Sequence, residues 1–178
     1  MVSWPTHRPG LARVAARSGS RGSPTAVSDS TLPVFKRAIV ALAGGPQDGR
    51  IVRVVTELAR GPRAEIIGVH VVEIEWSMPL DADIASRSEE AQQILDQAEL
   101  IAEQLKARLE PVLLQAREVG AALVDEATER AADLLVLGLP YKKRFGGDFA
   151  IGRTIPYVLK HAPCTVWVVR EPMPEESA

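Results

Sequence analysis

The sequence predicts an α/β domain with a parallel sheet covered on both faces. Three observations predict it. Short apolar, β-branched runs such as "AEIIGVHVVEI" lack the polar alternation of a half-exposed strand, so they read as strands buried on both faces. Between them lie segments with apolar residues at helical spacing. The two patterns alternate along the chain as β-α-β-α-β-α-β-α-β, with Gly and Pro punctuating the joins.

The elements follow in order. "RAIVALA" is the first strand, and "GGPQDG" ends it. "RIVRVVTELAR" places Ile51, Val54, Val55 and Leu58 at i, i+3, i+4, i+7, a helix stopped by Gly61-Pro62. "AEIIGVHVVEI" is the second strand, and "SMPLDAD" a loop. A long helix is expected from about Ile84 to Leu109, with Ser86 and Glu89 at capping-box spacing and Ile94, Ala98, Ile101 and Leu105 on one face. "PVLLQARE" is the third strand. "AALVDEATERA" is a helix with Leu123, Ala127 and Ala131 inward and Asp125, Glu126 and Glu129 on a solvated face. "DLLVLG" is the fourth strand, "IGRTIPYVLKHA" the last helix with Pro156 tolerable only in its first turn, and "TVWVVR" the fifth strand.

Composition sets limits on function. The 178 residues suit one domain with a tail. Hydrophobic residues make up 46% but aromatics only 4%, so the core is aliphatic. The net charge of −2 argues against nucleic-acid binding by the whole chain. Residues 1–30 carry Arg8, Arg13, Arg17 and Arg21 against Asp29, a net +3, which leaves the remainder at −5. Residues 1–33 are rich in Ser, Arg, Gly and Pro and are expected to be a disordered tail. That leaves a domain over 34–172 and a short tail over 173–178. The Arg-rich start also resembles an organelle transit peptide. The single cysteine, Cys164, fits a reducing cytoplasm. No apolar run approaches a membrane span, and no secretory signal is visible.

Chemistry is expected at two glycine-containing exits from strands, "ALAGGPQDG" and "GLPYKKRFGGDFAIGRT". Each leads into a helix, whose N-terminus can receive an anion. Neither a dinucleotide fingerprint nor a Walker A motif is present, and simple turn geometry also accounts for Gly44, Gly45, Gly146 and Gly147.

"RAIVALAGG", "IIGVHVVE", "AADLLVLGLP" and above all "GRTIPYVLKHAPCTVWVV" resemble the universal stress protein domain over roughly residues 36–170. The resemblance implies a Rossmann-like open sandwich with strand order 3-2-1-4-5 and often a homodimer through the last strand, here Val166, Trp167 and Val168. Many members bind ATP between strands one and four. The positions matching that site are Ala43, Val71, Gly138, Gly152, Arg153 and Thr154. Ala43 stands where binders carry a ribose-holding Asp, Tyr141 where they carry a second Gly, and Arg153 where they carry Ser or Thr. The loop is also one residue longer. Gly138, Gly152 and Thr154 are kept. Lys142, Lys143, Arg144 and Arg153 are cations able to hold phosphate.

Two readings follow. One is a cytoplasmic, dimeric, non-enzymatic stress-response regulator without the usual ATP site, acting on a protein partner such as a transporter, with no nucleic acid and no membrane insertion. The other is a sensor of ATP, AMP or a cyclic nucleotide with a modified phosphate loop. No catalytic or metal-binding residue is assigned. His7 lies in the tail, His70 reads as a strand-end histidine bonded to backbone, and His161 sits in the last helical turn where a cation suits the dipole. Cys164 reads as a packed thiol. No CxxC, HxxxH or GxSxG spacing occurs.

Overall fold

The computed structural model describes residues 34–59, 64–77, 85–140 and 151–170, with the side chains of 85–88 excepted. All belong to one unit, Thr31–Ala178. The expected tails, the Gly61-Pro62 stop, the loop after Ser77 and the segment 141–150, which holds Tyr141, Lys142, Lys143, Arg144, Gly146 and Gly147, lie outside the described residues; the helix expected to start at the Ser86 capping box already includes Ala85.

The elements are β1 Arg37–Leu42, α1 Gln47–Leu58, β2 Glu65–Glu73, α2 Ala85–Gln104, β3 Leu109–Ala116, α3 Val119–Glu129, β4 Leu134–Leu139, α4 Thr154–His161 and β5 Thr165–Arg170. They form one sheet of order β3-β2-β1-β4-β5, parallel throughout. Strand periodicity sorts the core into two layers. Ala38, Val40 and Leu42 meet Ile51, Val52 and Val55 of α1 and Leu95, Ala98 and Ala102 of α2. Ile39, Val69, Leu135 and Leu137 meet Leu123 and Ala127 of α3 and Ile155 and Val158 of α4.

Several boundaries differ from expectation, each for a physical reason. Helix α1 begins at Gln47, and its buried stripe runs through Ile51, Val52, Val55 and Thr56, leaving Val54 and Leu58 half-buried. Helix α2 ends at Gln104, so Leu105 lies past its end. Lys106 adopts φ 58°, and the N–H groups of Lys106 and Ala107 return to the Glu103 and Ala102 carbonyls. Ala131 repeats this left-handed stop with φ 49°, its N–H and that of Ala132 returning to Thr128 and Ala127. Both are Schellman stops made without glycine, the residue usually sought there. Ala131 is therefore exposed and Ala132 is buried in its stead. Strand β3 begins at Leu109, two residues before Pro111; a sheet edge tolerates a residue that cannot donate. Pro156 occupies the third position of α4, where no intrahelical N–H is required.

The N-terminal ends of the strands are clasped by charge. Asp133 accepts the Lys36 and Arg37 amides at 2.8 and 2.9 Å, tying the start of β4 to β1. Arg130 reaches Glu110 at 2.7 Å and Glu126 at 2.9 Å. Glu126 is thus buried against a guanidinium, unlike the exposed Asp125 and Glu129, which do occupy the solvated face expected of all three.

Candidate functional site

With strand order 3-2-1-4-5 the chain crosses from one side of the sheet to the other between β1 and β4. Adjacent connections leave in opposite directions there, and the strand tips stand apart. A cleft of about 480 Å³ opens at this point. Ala43, Val71, Gly138, Gly152, Arg153 and Thr154, contributed by four separate segments, all line it. Its walls include Val69, Leu123, Leu137, Leu139 and Ile155. An apolar floor with a few polar groups at the rim is the general form of a small-molecule site.

Gly138 belongs to this cleft, yet its lack of a side chain serves the opposite face. A Cβ there would come to 2.8 Å from both Gln47 Cγ and Ile51 Cδ1, so the glycine admits α1 onto β4. Gly152 differs. Its φ is 73°, and a Cβ would meet nothing within 4 Å. It turns the backbone into α4 beside open space.

The β1–α1 loop is held by its own helix. Asp48 Oδ2 accepts the Gly44 amide at 2.8 Å. Burial pushes this carboxyl above its ordinary range, against the pull of the Gly44, Ala43 and Gly45 amides. Its other oxygen, and Oε1 of buried Gln47, have no hydrogen-bond partner. Gln47 and Asp48 escaped the sequence reading because "PQDG" has the composition of a surface turn.

Arg153 precedes the first turn of α4 and is 79% exposed. Its Nη2 lies 3.2 Å from Glu73 Oε1 at the end of β2, and its Nη1 4.0 Å from Glu118 Oε1 at the entry to α3. Neither carboxylate carries a sequence signal: one closes an apolar strand, and the other sits in a short polar join.

His70 Nδ1 donates to the Leu42 carbonyl at 2.8 Å, the backbone-bonded strand-end role read from the sequence. His161 Nδ1 donates to the Tyr157 carbonyl at 2.9 Å and stacks on its ring at 4.2 Å. Cys164 is half-buried, and burial raises its thiol pKa, which disfavours the thiolate. Val166, Trp167 and Val168 on edge strand β5 are each only half-buried. Among the described residues, no cluster of three metal-binding side chains and no helix long and apolar enough to cross a membrane is present.

The universal stress protein family model matches residues 35–170. No curated protein sequence matches the chain. Among solved structures, a universal stress protein in complex with cAMP is 21% identical with a TM-score of 0.58, covering 76% of this chain and 97% of its own. The Archaeoglobus fulgidus universal stress protein in complex with dAMP is 23% identical, TM-score 0.58, covering 76% and 98%. An Arabidopsis thaliana family protein with AMP bound is 14% identical, TM-score 0.53, covering 77% and 92%. At these identities the likeness establishes the fold.

Proposed function

Because the chain belongs to the universal stress protein family, we propose that it is a cytoplasmic, non-enzymatic stress-response regulator whose β1/β4 cleft takes an adenine nucleotide through a modified grip. One observation carries the reading: six positions from four separate segments line a single cleft with an apolar floor and Arg153 at its rim. The base would lie on the apolar floor near Val71, and the phosphate would meet Arg153, Thr154 and the α4 N-terminus. Ala43 offers no side-chain acceptor to a ribose hydroxyl, so the usual ATP contacts are not reproduced. The cAMP, dAMP and AMP named with the three related structures support an adenine ligand.

The first experiment is to denature the purified full chain and identify released small molecules by mass spectrometry, then to follow its melting with added AMP and ATP. Bound adenine nucleotide, or a ligand-dependent rise in Tm, is expected. An empty protein whose Tm ignores both nucleotides would defeat the ligand reading. It would leave a second one, regulation through a protein partner such as a transporter.

The regulator is proposed to work as a homodimer through β5. Val166, Trp167 and Val168 keep half-buried apolar surface on an edge strand, which a second copy would cover. Sedimentation should give twice the chain mass, and Trp167→Lys should shift it toward monomer with the circular dichroism unchanged. A monomeric wild type at tens of micromolar ends this part of the reading.

A further inference from the structure

We infer that Glu73 and Glu118 make the cleft sense phosphate number, weakening an adenine ligand with three phosphates relative to one with a single phosphate; this rests on the adenine-ligand reading above. Arg153 is the guanidinium at the described rim, and it already faces two carboxylates, at 3.2 and 4.0 Å. Glu73 is fixed by the end of β2. Glu118 is fixed by the extended backbone that enters α3, and its side chain makes no cap hydrogen bond there. Both are about half exposed.

A phosphate that reaches Arg153 exchanges one ion pair for another. Each further phosphate then brings negative charge close to Glu73 and Glu118 with no second described guanidinium to meet it. At physiological ionic strength the screening length is about 8 Å, so a charge at this rim feels both carboxylates. The Gly44 amide on the opposite loop cannot compensate, because Asp48 already accepts from it. The carboxylates therefore act as a charge filter, and Arg153 as the group they hold in place until a ligand arrives.

The test is a ratio. Dissociation constants for AMP and ATP are measured by calorimetry on the full chain and on Glu73→Gln/Glu118→Gln, with EDTA present and ionic strength fixed. Relative to the wild type, the double variant should shift the AMP-to-ATP affinity ratio about three- to tenfold toward ATP, the size of two exposed charge contacts. Glutamine keeps the side-chain volume at these exposed positions, and an unchanged melting curve without ligand checks the fold. An unchanged ratio, or loss of all binding in the variant alone, overturns the filter while leaving the adenine-ligand reading intact. Failure of wild type and variant alike to bind either nucleotide overturns both.

Discussion

Gly44 and Gly152 have nearly the same backbone angle, φ 75° and 73°, and occur in the two loops flanking the cleft, yet their surroundings are opposite. Gly44 donates its N–H to Asp48, and a Cβ there would sit 2.8 Å from Ile94 Cδ1. Gly152 would meet nothing within 4 Å and stands next to Arg153 at an open rim. Both glycines permit a left-handed turn. Only at Gly152 would a side chain find room without touching a neighbour. Backbone conformation and packing room are thus separable properties of a glycine loop, and neighbours distant in sequence decide the second.

The largest expected effect lies at a third glycine, which sharpens the contrast. Gly138→Ala places a methyl group 2.8 Å from Gln47 Cγ and Ile51 Cδ1. Forcing α1 away from β4 should cost about 1–3 kcal/mol in urea unfolding. A change below about 0.5 kcal/mol, the level of an ordinary surface substitution, would show that α1 does not press on β4 as described.

Asparagine, which tolerates the left-handed region, separates the two loops next. Gly152→Asn should be close to neutral, whereas Gly44→Asn should cost about 0.5 kcal/mol more, because the Ile94 terminal methyl must move aside. Equal melting temperatures for the two variants would abolish the distinction between the loops.

A smaller effect is expected from Asp48. Its carboxyl pKa is raised by burial above the ordinary 3.8. Between the unfolded and the folded pKa the native state binds the extra proton, so stability contributed by this group falls as pH rises through that window. Asp48→Asn keeps an acceptor for Gly44 and removes the buried charge. At neutral pH it should raise Tm by about 2–4 °C, the equivalent of roughly 1 kcal/mol in a domain of this size. The gain should shrink as pH falls toward 4, and a gain independent of pH would assign it to packing instead.

The α/β order, all nine elements and the two-sided burial of the sheet were legible in the sequence, because apolar continuity and helical spacing are local signals. Six positions matched to family motifs, Gly152 and Arg153 among them, line one cleft, whereas Val119 and Leu123 beside them carried no such match. The ends of α2 and α3 were not, since each stops on a non-glycine residue in the left-handed region that only its returning hydrogen bonds reveal.

By itself, then, the sequence determined which segments become strands and helices and which residues face a core, since those depend on patterns within a few neighbours. The tertiary structure alone decided the partners of the charges. Arg153 meets Glu73 across 80 positions of chain because the sheet order brings the end of β2 near the start of α4. Asp48 turns inward to a backbone amide, and Glu126 is buried against Arg130, although both read as surface acids. The i,i+4 spacing of Glu126 and Arg130 is visible along the chain, but charge pairing acts over ångströms in space, and the separation of Arg153 from Glu73 carries no record of their meeting.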